Sequence, residues 1–315
     1  MKNRQKKIKV KSILRNILLF VEVVVLALVV MGGSHVIEKS SDESAAVNTK
    51  ESSEAEKVPA ETPEFRWEDY KMVAHALGGL EDKTYLNSKE AFIASYEKGI
   101  RLFEVDLCQT SDGVWVCRHS WNQSLGQWEE EGKKVLSEEE FLSAPIYGKY
   151  TPMTFQDLLV LLKDYPDAFV MLDSKQYSIR NYRRTLEDYS EYIQLADEAD
   201  AREVLDQLIP EIYNEAMFPG TALMYRFPSY IYSLWQEYSA EELKETAAFC
   251  AEKNILAVTV YYKYWSEEIQ EIFDEKGILV YIYTVNDLQE AKKFISQGAM
   301  GICSDTLTDK EIKED

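Results

Sequence analysis

From residue 70 onward, short β-rich runs alternate with helical patterns, and no other feature limits the fold so strongly. The runs are residues 71–77, 100–107, 168–173, 208–214, 230–236, 255–262, 278–285 and 299–305. Segments with helical periodicity separate most of them. Several of these open on Ser, Thr or Asp and close on Gly or Asn, as helix ends require. Eight strands joined by helical crossovers predict a closed (β/α)8 barrel, the TIM barrel of the α/β class. An open doubly wound sheet is the alternative, but no glycine-rich nucleotide loop follows any strand. The weakest unit is 215–229, where Pro219-Gly220 and Pro228 leave room for only a short helix.

With 46% hydrophobic residues in 315, the chain has ample material for such a core, assigned to residues 66–315. Ahead of it the composition changes twice. A basic segment, 1–12, leads into an apolar one, 13–32, that contains ILLFVEVVVLALVVM and a single acid, Glu22. This approaches the roughly 20 residues that span a bilayer, so a transmembrane anchor is expected. A buried helix and a cleaved signal peptide are the alternatives; the run is long for a signal core and no A-x-A-like site follows. Residues 33–65, rich in Ser, Glu and Ala, read as a flexible, self-repelling linker. Basic flanks stay inside, which predicts a single-pass protein of the cell membrane, its N-terminus cytoplasmic and its barrel extracytoplasmic.

The formal net charge is −20, and seven of the 35 basic residues fall within residues 1–16. A body so acidic is a poor ligand for nucleic acid, whose phosphates demand clustered Lys and Arg, so no nucleic-acid partner is expected. Cys108, Cys117, Cys250 and Cys303 lack metal-ligand spacing and read as small buried hydrophobes. A two-residue turn at Asp112-Gly113 would set Cys108 opposite Cys117, which an oxidising compartment would allow to bond. Residues 120–153 form a charged, turn-rich excursion expected over one barrel mouth. Its Trp121, Trp128, Phe141, Tyr147 and Tyr150 either wall a substrate pocket or pin the loop down.

Chemistry concentrates in FEVDLCQTSDGVWVCRH, residues 103–119, which reads as strand, turn and strand. Glu104 and Asp106, two apart on a strand, leave it on the same side. The hairpin carries His119 back toward them. His75 ends the first strand, and Asp173 and Lys175 end the third. Two imidazoles beside carboxylates at one barrel mouth are the ingredients of acid–base catalysis with a metal. Oxygen ligands without a Cys or His cluster favour one hard divalent cation, Mg²⁺ or Ca²⁺. Tyr213, Gln236, Tyr262 and Tyr283, at or near later strand ends, are candidate pocket-lining residues, with core or rim packing as the alternative.

The ordered set AHALGG (74–79), NSKEAF (87–92), the hairpin, LDSK (172–175), YTVND (283–287) and GICSD (301–305) resembles the glycerophosphodiester phosphodiesterases of the phosphatidylinositol phospholipase C-like barrel superfamily. The resemblance covers most of residues 70–307 and implies a metal-dependent phosphodiesterase. It implies His75 and His119 as acid and base, and Glu104, Asp106 and Asp173 as ligands of one divalent cation. Lys175 and Asn87 would serve as phosphate- or substrate-binding residues. The implied substrate is a small-molecule or lipid-derived phosphodiester. A sphingomyelinase D-like lyase forming a cyclic phosphate, and a non-catalytic barrel binding anionic lipid or polymer, are the alternatives. Three departures stand out: Ala76-Leu77-Gly78 replaces the usual Arg-Gly after the histidine, Leu86 replaces the Glu before Asn87, and Asp173 replaces a Glu. The catalytic centre reads as intact and the substrate pocket as divergent.

Overall fold

The computed structural model describes residues 62–128, 134–175 and 182–313. Eight parallel strands close into a barrel: β1 (Met72–Ala74), β2 (Leu102–Gln109), β4 (Phe169–Ser174), β5 (Leu208–Ile212), β6 (Ile231–Leu234), β7 (Ala257–Tyr261), β8 (Leu279–Tyr283) and β9 (Gly301–Ser304). Pairing runs in that order, and β1 closes the ring by pairing with both β2 and β9. β3 (Trp115–Cys117) stands outside the ring, antiparallel to β2. The eight expected runs are therefore the eight barrel strands.

Outside the ring pack α1 (Lys89–Glu97), α3 (Phe155–Leu162), α4 (Tyr182–Glu198), the short α5 (Phe218–Ala222), α6 (Ala240–Lys253), α7 (Glu267–Asp274) and α8 (Leu288–Ser296). α2 (Glu138–Ser143) lies in the excursion and α9 (Asp309–Lys313) near the C-terminus. Local chemistry starts them sharply. Ser137, Thr154 and Ser239 form capping boxes with Glu140, Asp157 and Glu242, each satisfying two otherwise orphaned backbone donors.

Strand alternation sorts the side chains into two apolar layers. Val105, Val170, Leu172, Val258, Ile282 and Ile302 face the helices, where Phe92, Leu158, Tyr192 and Phe273 meet them. Leu102, Phe169, Met171, Ile209, Ile231 and Tyr281 fill the barrel interior together with Trp67. Trp67 belongs to a short turn before β1 and is 2% exposed. Its indole donates to Ser229 Oγ at 2.7 Å, and the Tyr281 hydroxyl donates to the Trp67 and Tyr70 carbonyls at 2.8 and 2.7 Å. A polar rivet thus holds an aromatic plug. Trp67→Ala is expected to cost about 3–5 kcal/mol through loss of burial and the cavity left behind; urea unfolding reads it, and a loss below about 1 kcal/mol would deny the plug that role.

One expectation is corrected and two open alternatives are decided. No helix among the described residues is long and apolar enough to cross a membrane, so the single-pass membrane localisation is withdrawn. The longest, α4, has 17 residues and is interrupted by charge throughout. Segments 1–12, 13–32 and 33–61 lie outside the described residues. Second, Cys108 pairs with Val116, and Leu107 with Cys117. The Thr110 N–H bonds to the Val114 carbonyl around a three-residue turn with Gly113 at φ +89°, which slips the pairing by one and sends the two thiols to opposite faces. Third, Trp121, Trp128 and Phe141 pack into a satellite cluster under the excursion with Val116 and Leu136, and none of the five excursion aromatics lines the barrel mouth. They pin the loop.

Candidate active site

At the C-terminal ends of the strands, inward-facing positions change from apolar to acidic. Leu102, Glu104 and Asp106 alternate inward on β2, and the parallel register sets Asp106 beside Asp173. Oxygens of Glu104, Asp106 and Asp173 lie within 4.8 Å of one another, and all three side chains are buried. The surroundings hold each in place. The Ala76 N–H donates to Glu104 Oε2 at 2.7 Å. Asn87 donates to Asp106 Oδ2 at 2.7 Å and accepts from the Asp106 N–H at 3.0 Å. Lys175 Nζ stands 2.8 Å from Asp106 Oδ1 and also bonds Asp173.

Crowding acids in a dry site separates their proton affinities. Burial and the neighbouring Asp106 charge push Glu104 well above the usual carboxylate range. Burial works against the Asp106 charge too, but Lys175, His119 and His75 outweigh it and hold Asp106 at about 2. Asp173 Oδ1 is buried and accepts no hydrogen bond among the described residues. An all-oxygen ring with an unsatisfied oxygen fits a hard divalent cation held by Glu104, Asp106 and Asp173.

The two histidines reach the same mouth by different routes. His75 follows β1 on a backbone that turns sharply, with Ala76 at φ +49° and Leu77 at φ +64°. Left-handed non-glycine residues cost about 1–2 kcal/mol each and mark a turn the surroundings enforce. Gly78 completes it at φ +104°, where a Cβ would fall 2.0 Å from Ser95 Oγ. His75 Nδ1 pairs with Asp305 Oδ1 at 2.8 Å, and its Nε2 stands 4.0 Å from Glu104. Asn286 fixes Asp305, donating to Oδ2 at 2.6 Å and accepting from the Asp305 N–H at 2.9 Å. His119 follows β3 and is anchored by the Arg118 N–H, which donates to the Asp106 carbonyl at 2.8 Å. Burial lowers its proton affinity. Tyr85 lies edge-on between the imidazoles, its ring centroid 4.8 Å from His75 and 4.9 Å from His119.

A cavity of about 210 Å³ opens here, bordered by both histidines, Glu104, Asp173 and Lys175. The Glycerophosphoryl diester phosphodiesterase family model matches residues 79–308. The chain belongs to this family. It is accordingly a phosphoric diester hydrolase of the glycerophosphodiester phosphodiesterase type. Solved structures share its fold. A glycerophosphodiester phosphodiesterase from Parabacteroides distasonis superposes with a TM-score of 0.57 at 18% identity, over 75% of this chain and 92% of that one. The Thermotoga maritima enzyme gives 0.54 at 17%, over 78% and 96%. An Oleispira antarctica phosphodiesterase, solved with the product sn-glycerol-3-phosphate, gives 0.58 at 15%, over 75% and 92%. No curated protein matches the chain.

Within this family frame, the expected pocket residues divide. Tyr213 and Tyr283 border the cavity; Gln236 and Tyr262 do not. Gln236 is exposed and borders a separate surface pocket, and Tyr262 packs against the outer core. Trp235 and Tyr261, one residue earlier, take their places because side chains alternate and Ser233 and Thr259 face inward. Asn87, expected to contact substrate, is buried with its amide donating to Asp106 Oδ2, and it does not border this cavity. The residues not anticipated are Tyr85, Glu211, Asn286 and Asp305. Asp305 and Asn286 stood in the motif segments after β9 and β8, so their positions were a usable signal. Tyr85, on a loop at φ +57°, carries none.

Proposed function

We propose that the chain hydrolyses a glycerophosphodiester by acid–base catalysis shared between His75 and His119. The observation that carries this reading is the pair of imidazoles at one mouth beside three clustered acids, each imidazole in T-shaped contact with the Tyr85 ring between them. Glu104, Asp106 and Asp173 would hold one divalent cation, whose chemistry when bound is electrostatic stabilisation of the phosphoryl oxygens. Lys175 adds a fixed positive charge on the same side. One imidazole takes a proton from the attacking water as its oxygen bonds to phosphorus. The other gives a proton to the departing alkoxide as the P–O bond breaks, leaving a phosphomonoester and an alcohol. The hydrogen bond between Asp305 and His75 Nδ1 keeps Nε2 as the working nitrogen.

Turnover of glycerophosphocholine, glycerophosphoethanolamine and glycerophosphoglycerol by the full chain, followed by phosphorus NMR with Mg²⁺, Ca²⁺ or a chelator, tests the reading. A phosphomonoester that appears only with metal is the expected product. A cyclic phosphate would instead mark a lyase, and no cleavage of any diester would defeat the reading.

A further inference from the structure

The two imidazoles at the mouth are not held alike. The ring of His75 is clamped, because its Nδ1 pairs with Asp305 Oδ1 at 2.8 Å and Asn286 holds Asp305 in turn. His119 has no such clamp: its Nδ1 is buried, and no hydrogen bond reaches it among the described residues. An imidazole that turns freely misplaces its working nitrogen, so packing has to do for His119 what a carboxylate does for His75.

That packing comes from Tyr85, which also borders the cavity. Its ring plane is inclined at 64° to that of His119 and at 79° to that of His75, the T-shaped arrangement that aromatic rings favour. The chain puts it there against local preference. Tyr85 sits at φ +57° and Asn87 at φ +44°, left-handed conformations that residues with a Cβ avoid. Neighbouring residues impose them. Leu86 is fully buried, and Asn87 ties the segment to both histidine-bearing stretches. Its N–H donates to the Ala76 carbonyl at 2.9 Å, beside His75. Its side chain donates to the Asp106 carboxylate and accepts from the Asp106 N–H, while the Asp106 carbonyl accepts from the Arg118 N–H, beside His119. One hydrogen-bonded frame therefore fixes the tyrosine relative to both imidazoles.

We propose that Tyr85 is the positioning residue of His119: its ring, not its hydroxyl, fixes the orientation of that imidazole and holds it apart from His75. The use made of the imidazoles rests on the phosphodiesterase reading; the placement does not. In-line displacement at phosphorus sets the attacking and departing oxygens on opposite sides, so base and acid must stay separated. A ring between them keeps them from collapsing onto one side. The phenol is not itself a proton carrier, since burial and the charges of Asp106, Asp305 and Glu104 raise its pKa above the ordinary tyrosine value, against the pull of Lys175.

Tyr85→Gly in the full chain is the test, because glycine accepts the left-handed backbone and only the ring is lost. On the best cleaved of glycerophosphocholine, glycerophosphoethanolamine and glycerophosphoglycerol, kcat is expected to fall about 100-fold, the scale of a misplaced catalytic group. Mg²⁺ affinity by calorimetry should be unchanged. Tyr85→Phe, which keeps the ring, should stay within a factor of a few of the wild type. In a His119→Ala background Tyr85→Gly should lower kcat little further, since the group it positions is gone. A crystal structure of Tyr85→Gly, which needs no turnover, should show His119 in changed or multiple rotamers and His75 still against Asp305. Wild-type kcat in Tyr85→Gly, a full further loss in the His119→Ala background, or an unmoved His119 ring would overturn the proposal. So would Tyr85→Phe as slow as Tyr85→Gly, which would assign the role to the hydroxyl. A displaced His119 in Tyr85→Gly, with no diester cleaved by the wild type, would keep the placement and defeat the hydrolase reading. Cleavage by the wild type with His119 unmoved in the variant would do the reverse.

Discussion

His75→Ala is expected to lower kcat by roughly 10²–10⁴-fold while leaving metal affinity within a factor of a few. The imidazole is set by three neighbours: Asp305 at Nδ1, Glu104 4.0 Å from Nε2 and the edge contact with Tyr85. Alanine removes the imidazole proposed to transfer the proton but none of the carboxylates that converge nearby. Single-turnover kinetics at saturating metal reads the chemical step, and calorimetry reads metal binding. Asp305→Asn should also lower kcat, because the amide can offer its NH₂ to Nδ1 and so move the ring proton onto Nε2, the wrong tautomer for the working nitrogen. Wild-type kcat in His75→Ala would remove the histidine from the mechanism; equal loss of metal binding would make its role one of site assembly.

Asp106→Asn is expected to abolish turnover and weaken metal binding by more than about 100-fold, beyond what loss of an outer partner costs. The substitution keeps the side chain's shape, so the effect isolates charge. Asp106 has no exposed surface, bonds Asn87 and faces Lys175. It is also the acid that its cationic neighbours keep ionised, at about 2, where crowding pushes Glu104 the other way. Metal binding to the native state raises thermal stability by mass action. Added Mg²⁺ or Ca²⁺ should therefore raise the Tm of the wild type but not of Asp106→Asn. An undiminished shift in the variant would place the cation elsewhere.

The sequence by itself carried the eight strands, because period-two apolar runs bounded by helix caps are local signals. It also carried the shared side of Glu104 and Asp106, since residues two apart on a strand project together whatever surrounds them. Asp173 and Lys175 followed by the same rule. What local pattern cannot supply is the phase of one strand relative to another. That phase is set where the barrel closes, so it decided that Trp235 and Tyr261, not Gln236 and Tyr262, face the cavity. One extra turn residue before Val114 decided the hairpin register and parted Cys108 from Cys117. Closure also brought Asp305 to His75 across 230 residues, and Trp67 to Ser229 across 162. The alternation of a strand is written in neighbouring residues, whereas these partners meet only because β9 returns to β1 and completes the ring.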